Sequence, residues 1–542
     1  MSRERRSRRS RVLGLALAAV LGSAGLAAAA PAQAATTQAA TAPSATALSA
    51  AAQAHRADGH SAHAHRARAH RTHATTQGAT VYVDCSQPTD GNGTRSSPYD
   101  SLSDVDSTVF TAGETLAFNS GTTCTGTLSP LGSGTVSAPV TITDYGTGAL
   151  PVIDGAGAAS AVTLTNQDNW TVENLDLTDQ ATTEAQRTGL LVQSTDGTAH
   201  TGYTVQDLVV DGVAGVTDKA TEATAFADSA GIEFGTANTG STLNDVLVTD
   251  DQVSNAGGGG IKVRVGAMTA QGTNVLVENN TVSDDGGDGI IVEYADAPMI
   301  QDNTAQGLGT GTYPWTGGNF AAIWVLGDDN PTIQNNVVTG TVMSAFDSEA
   351  FDCDWGNTGT CTVQYNLTYD NAGGFFLNCD GCGTSGAPTQ VVRDNIFQDD
   401  CRSISNGNAV HLYFYNNDVY CPNTPLSVEW PSNSTIENNV FVGESTSSLP
   451  TGSGIGYWWN VFQGVPRPTA NGIVEDPGFV DPGTVALTPA AATGFELCAS
   501  SPALDNGAPM SDNGGQDFFG NPLSPTAKPD RGAYNGPAIT GC

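Results

Sequence analysis

The chain has 542 residues, with 20 Lys+Arg against 55 Asp+Glu and a formal charge of −35. Ten of the basic residues but only two of the acidic ones precede Thr80, so the remainder carries a formal −43. So few cations exclude nucleic acid as the main partner, because phosphate binding needs clustered Lys and Arg, and a polyanionic polysaccharide is repelled unless a bound cation or local basic patch intervenes.

In chain order, six Arg fall between Met1 and Arg11, Val12 to Ala30 is apolar, and Ala32-Gln33-Ala34 has the small-x-small form of a cleavage site. Residues 1–34 therefore read as a secretory signal, and the protein as secreted. Ser7-Arg8-Arg9-Ser10-Arg11-Val12-Leu13 has a twin-arginine look, with Arg11 where such signals usually carry an apolar residue, so both export routes stay open. Residues 35–78 are mostly Ala, Thr, Ser, His and Arg and hold His55, His60, His63, His65, His70 and His73. They have too few large apolar side chains to offset ordering entropy, which predicts a disordered linker or pro-segment. Metal capture or cell-wall attachment by the histidines is the alternative.

The folded part is expected at 79–542. No segment in it has the roughly 18 to 20 unbroken apolar residues of a membrane span. It holds all ten cysteines: Cys85, Cys124, Cys353, Cys361, Cys379, Cys382, Cys401, Cys421, Cys498 and Cys542. An even number in an oxidising compartment predicts up to five disulfides, with Cys353–Cys361 and Cys401–Cys421 as local pairs. Cys379-Asp380-Gly381-Cys382 lacks the second Cys or His pair that a zinc site needs.

One spelling recurs: Val277-Glu278-Asn279-Asn280, Ile300-Gln301-Asp302-Asn303, Ile333-Gln334-Asn335-Asn336, Val363-Gln364-Tyr365-Asn366, Val392-Arg393-Asp394-Asn395, Phe414-Tyr415-Asn416-Asn417 and Ile436-Glu437-Asn438-Asn439. A shortest step of 22 residues is too short for a helical repeat and suits one coil of short strands. Asn tolerates the left-handed backbone of a tight corner, and stacked Asn amides can bond one coil to the next. These features predict an all-β solenoid forming a single elongated domain. Longer steps mean loops inserted on one side of the stack, where solenoids usually place binding surfaces.

The repeat resembles that of the right-handed parallel β-helix, or pectate-lyase-like, superfamily. Gly91-Asn92-Gly93-Thr94, Ala112-Gly113-Glu114-Thr115-Leu116 and Ile142-Thr143-Asp144-Tyr145-Gly146 look like the amino-terminal cap and first coils of secreted bacterial members. Gly520-Asn521-Pro522 and Asp530-Arg531-Gly532-Ala533-Tyr534 resemble the closing segment, departing from it at Arg531 and Asn535. The superfamily includes lyases, hydrolases, esterases, epimerases and adhesins, so the resemblance implies the fold and leaves the reaction open.

The chemistry must come from side chains pointing out of the coil. Gly189-Leu190-Leu191-Val192-Gln193, Gly231-Ile232-Glu233-Phe234-Gly235, Gly260-Ile261-Lys262-Val263-Arg264, Gly289-Ile290-Ile291-Val292-Glu293, Ala322-Ile323-Trp324-Val325-Leu326, Ala350-Phe351-Asp352-Cys353-Asp354 and Gly374-Phe375-Phe376-Leu377-Asn378 align as strands with apolar second and fourth residues. That period of two marks an inward face. The third and fifth residues then form outward columns containing Glu233, Lys262, Trp324, Asp352 and Phe376, and Arg264, Glu293, Asp354 and Asn378.

Asp352 and Asp354 leave one face of a strand about 6.8 Å apart, compatible with the acid and base of an inverting glycosidase. Glu293 would act as their electrostatic partner, while Trp324, Glu233, Phe376 and Asn378 would contact sugar. Lys262 and Arg264 support a competing reaction, β-elimination, with one as base and Ca²⁺ held by carboxylates such as Asp284, Asp285 and Asp288. Alternatively, Arg264 simply pairs with Glu293 on the next strand. The expected function is cleavage of an extracellular polysaccharide by a monomer, with hydrolysis ahead of Ca²⁺-dependent elimination. A non-catalytic carbohydrate-binding or surface protein is the alternative.

Overall fold

A computed structural model describes residues 78–237, 240–379, 389–406, 411–484 and 488–542. The expected signal segment, the linker up to residue 77, and Asp380 to Cys382 lie outside the described residues. Fourteen strands, from Thr80–Val83 to Ile455–Trp458, stack in parallel into one sheet. The intervening strands stack into a second, 22-stranded sheet, again with parallel neighbours. The chain is a right-handed parallel β-helix, a single elongated solenoid.

The repeated Asn-Asn pairs build its corner, and the two residues of each pair do different work. The first takes the left-handed conformation: Asn279, Asp302, Asn335, Tyr365, Asp394, Asn416 and Asn438 have φ between 52° and 59°. The second is buried and joins the coils. Asn280, Asn303, Asn336, Asn366, Asn395, Asn417 and Asn439 each donate from Nδ2 to Oδ1 of the next member at 2.9–3.1 Å, ending on Asn460. Each accepting Oδ1 also takes a backbone N–H from the coil before it, at 2.8–3.0 Å. Asp251 starts the ladder, donating its N–H to Asn280 and accepting from Leu208. In a dry interior an unmade amide bond costs about 1–3 kcal/mol, so the ladder fixes one corner of every coil.

Inside, Phe397, Phe414, Phe441 and Phe462 form a file with centroids 5.7–6.3 Å apart, and Phe375 stacks on its end at 4.6 Å. Disulfides join Cys85–Cys124, Cys353–Cys361, Cys401–Cys421 and Cys498–Cys542, including both expected local pairs. Cys379 is disulfide-bonded as well.

The expected outward column holds through six strands: Leu191, Glu233, Lys262, Ile291, Trp324 and Asp352 are successive partners. It fails on the seventh. Asp352 stands opposite Leu377, Phe376 opposite Phe351, and Asn378 opposite Cys353. Phe375 and Phe376 both enter the core, at the cost of a one-residue offset that Gly374 (φ 105°) absorbs. A one-residue slip exchanges the faces of a strand. Phe376 and Asn378 are therefore buried rather than turned to a ligand, and Asn378 Nδ2 donates to Gln390 Oε1 at 2.7 Å.

Candidate functional site

Three neighbouring strands, Gly286–Glu293, Ile323–Leu326 and Phe351–Cys353, carry Asp288, Trp324 and Asp352 to one side of the coil. Asp354 follows directly on the last of them. Connecting segments bring up Lys219, Asn319, Phe320, Ala321 and Asp347, and the group lines a narrow, open cleft with an enclosed volume of about 20 Å³.

Polar side chains orient one another in this cleft. Asp288 Oδ1 accepts from Trp324 Nε1 at 2.9 Å and from the Ala321 N–H at 3.3 Å, which locks the indole in place. Lys219 Nζ lies 5.8 Å from the centroid of that indole, within cation–π range. Asp347 accepts from Asn319 Nδ2 at 3.0 Å and from Ser344 Oγ at 3.1 Å.

Asp352 and Asp354 differ in what supports their charge. Asp352 is buried, its Oδ1 has no hydrogen-bond partner, and its carboxyl is held well above the usual range by burial and by Asp354, Asp347 and Glu349. Asp354 is only partly buried as a residue, and burial of its carboxyl pushes it up to about 7, against the pull of the Trp355 N–H, which donates to Oδ1 at 2.7 Å. Lys219 pulls both down. Beneath the cleft, fully buried Glu349 has both oxygens without a hydrogen bond and Arg402 Nη1 3.9 Å away, and burial raises it to about 8.

The earlier strands hold a further charged group that adjoins the cleft through Asp288. Arg264 Nε donates to Glu293 Oε2 at 2.7 Å and Nη1 to Asp228 Oδ1 at 2.9 Å, so the cross-strand pairing exists and both ends of the guanidinium are engaged. Lys262 Nζ is 2.8 Å from the Phe226 carbonyl, 3.7 Å from Asp288 Oδ2, and 4.6 Å from the centroid of the Phe226 ring. Burial lowers it to about 8, and its side chain is 3 % exposed. Glu233 is buried beside these cations, and burial raises it to about 7. Lys262, Arg264, Glu233 and Glu293 do not line the cleft.

The expected calcium ligands do not converge. Asp284 is exposed at a left-handed corner and accepts from Thr310. Asp285 is turned into the fold, where Oδ1 accepts the Ala256 N–H, and Asp288 faces the cleft. Successive residues around a bend point different ways, which carboxylate spacing alone does not reveal. Among the described residues the carboxylates whose oxygens converge are Asp90, Asp100 and Asp104, in the first coils. Sequence reasoning missed Lys219, Asn319 and Asp347, which lie on segments outside the repeat; the scarcity of cations was the available signal for Lys219.

A larger cavity of about 300 Å³ lies elsewhere, between Trp458, Trp459 and Arg531. It has no carboxyl pair, so the candidate chemistry stays with the smaller cleft.

A family model described as "Periplasmic copper-binding protein (NosD)" matches residues 152–381. No curated protein matches the chain. Among solved structures, a GH136 lacto-N-biosidase from Eubacterium ramulus is 19% identical with a TM-score of 0.51, covering 73% of this chain and 67% of its own. The complex of XylC with xylose is 10% identical with a TM-score of 0.48 (84% and 98% covered), and pectate lyase Pel9A is 16% identical with a TM-score of 0.44 (85% and 97%). The first of these likenesses shows the fold alone. Within 152–381 the residues do not fit copper: His200 is the single histidine, held by Asp168 and Asp196, and Cys353, Cys361 and Cys379 are in disulfides.

Proposed function

We propose that this right-handed parallel β-helix protein hydrolyses an extracellular polysaccharide in the cleft over Asp352 and Asp354. The observation that carries the reading is the unlike pair of carboxyls in one cleft. Burial and the neighbouring acids raise the Asp352 carboxyl, whose Oδ1 has no hydrogen-bond partner, whereas Asp354 has an N–H supporting its ionised form. Separating two acids in this way assigns an acid and a base. Asp352 donates its proton to the departing glycosidic oxygen. Asp354 takes a proton from the water that attacks the anomeric carbon, so one C–O bond breaks as another forms, with inversion. Lys219 and Trp324 line the cleft, but the indole is only 8% exposed with Lys219 over its ring, so the sugar would meet the Lys219 ammonium and the indole's edge rather than stack on an open face.

Elimination is less well supported, because Lys262 is buried against the Phe226 carbonyl and Asp288, and Arg264 is held by two carboxylates, so neither offers the cleft a free base. The formal −43 after Thr80 favours a neutral substrate over a uronate. Four disulfides fit a protein that matures in an oxidising compartment, consistent with export.

The test is a panel of neutral and uronate polysaccharides, following reducing ends and the ultraviolet absorbance of unsaturated products. Reducing ends without new absorbance, lost in Asp352→Asn and in Asp354→Asn, are expected. Full activity in both variants discards the assignment.

A further inference from the structure

We propose a second, non-catalytic carbohydrate site, for a neutral oligosaccharide, at the carboxy-terminal end of the solenoid. Its floor is Trp458 and Trp459, 43% and 44% exposed, with ring centroids 6.4 Å apart and planes tilted by 40°. Tyr457 before them is buried and accepts from Trp430 Nε1, so the strand itself is anchored and its outward residues are presented on a rigid base. Asn471, Gly472, Ile473 and Arg531 complete the cavity of about 300 Å³. That is the lower end of the size range of a small-ligand site, with the mainly apolar, sparsely polar lining of one.

Two features point to a ligand rather than to packing. Trp459 occupies the left-handed corner (φ 49°) that Asn, Asp or Tyr holds in earlier coils, where a bulky side chain is least comfortable. Arg531 is 7% exposed; Nη1 and Nη2 reach the Asn460 and Asn506 carbonyls at 3.3 and 3.2 Å, and Nε has no partner. No carboxylate lies within ion-pair distance of it among the described residues. Sugar rings present apolar faces to indole and hydroxyls to amide and guanidinium donors, which matches this set. The overall negative charge disfavours a polyanion, although Arg531 is a local cation.

The site is distinct from the cleft. Trp458 belongs to the fourteen-stranded sheet and Asp352 to the other. Five strand steps, from Thr332–Gln334 to Ile455–Trp458, place it about 24 Å further along the axis at about 4.8 Å each. It would anchor a chain rather than position the bond being cut.

The experiment titrates the full chain carrying Asp352→Asn with neutral oligosaccharides (cello-, xylo- and manno-hexaose) and with hexagalacturonate, reading tryptophan fluorescence and calorimetry. Saturable binding of a neutral hexaose is expected, with the tighter or additional site weakened roughly tenfold or more by Trp458→Ala or Trp459→Ala, and insensitive to salt. Both tryptophans are exposed, so these variants keep the fold, which a melting curve checks. The same affinity and the same number of sites in the double tryptophan variant, binding of hexagalacturonate alone, or no binding of any hexaose overturns the proposal.

Discussion

Asp352 and Asp354 share a strand face but not a proton affinity, and the difference sets a pH dependence. Asp354 must be ionised to act as base, so kcat/KM rises as pH passes about 7. Asp352 must keep its proton, so activity falls again at higher pH. The pair titrates as a unit, giving a bell-shaped profile. Lys219 lowers both carboxyls, since a nearby cation favours the charged form. Lys219→Ala is therefore expected to move the whole bell to higher pH, a displacement that loss of packing alone would not produce; the check is a pH–rate profile of both proteins.

Within one corner, adjacent asparagines have opposite needs. Asn335 uses only its left-handed backbone (φ 57°), so Asn335→Gly is expected to change stability by less than about 0.5 kcal/mol. Asn336 accepts from the Asn303 N–H and Nδ2 and donates to the Ile300 carbonyl and to Asn366, all buried. Asn336→Gly is expected to cost on the order of 3 kcal/mol or more. Denaturant titration of the two variants separates the roles. The corners were legible in the sequence because one spelling repeats with the same chemistry. The outward columns were legible for six strands because β-branched and aromatic residues alternate there. They failed at Phe375-Phe376, where two aromatics in a row erase the alternation and a glycine hides the offset. The last rung of the ladder was missed because Trp459 stands where Asn usually marks it. Of the cleft, only the residues on strands could be read; Lys219, Asn319 and Asp347 arrive from segments whose paths no periodicity dictates.

Across the whole molecule, acids held inside the fold tie stability to pH in an unusual direction. Glu349 is raised to about 8, and Asp354, Asp400 and Glu233 to about 7, in each case chiefly by burial. A carboxyl whose folded value lies above its unfolded one contributes stability that is fully present below the unfolded value and is lost as pH rises through the folded one. The melting temperature is expected to fall between about pH 5 and about pH 9, opposite to acid denaturation, and a calorimetric series measures it. Glu349→Gln, which cannot ionise, is expected to flatten that fall, with the larger gain over wild type at the alkaline end.

The Asn ladder also bears on how such a chain can change by inheritance. Successive rungs are separated by 23, 33, 30, 29, 22, 22 and 21 residues, yet the bonds between them stay within 2.9–3.1 Å. Extra residues gained between two rungs enter the loops that wall the cleft and leave the spine in step. Insertions and deletions can thus reshape what the molecule grips while the frame that presents it goes on unaltered.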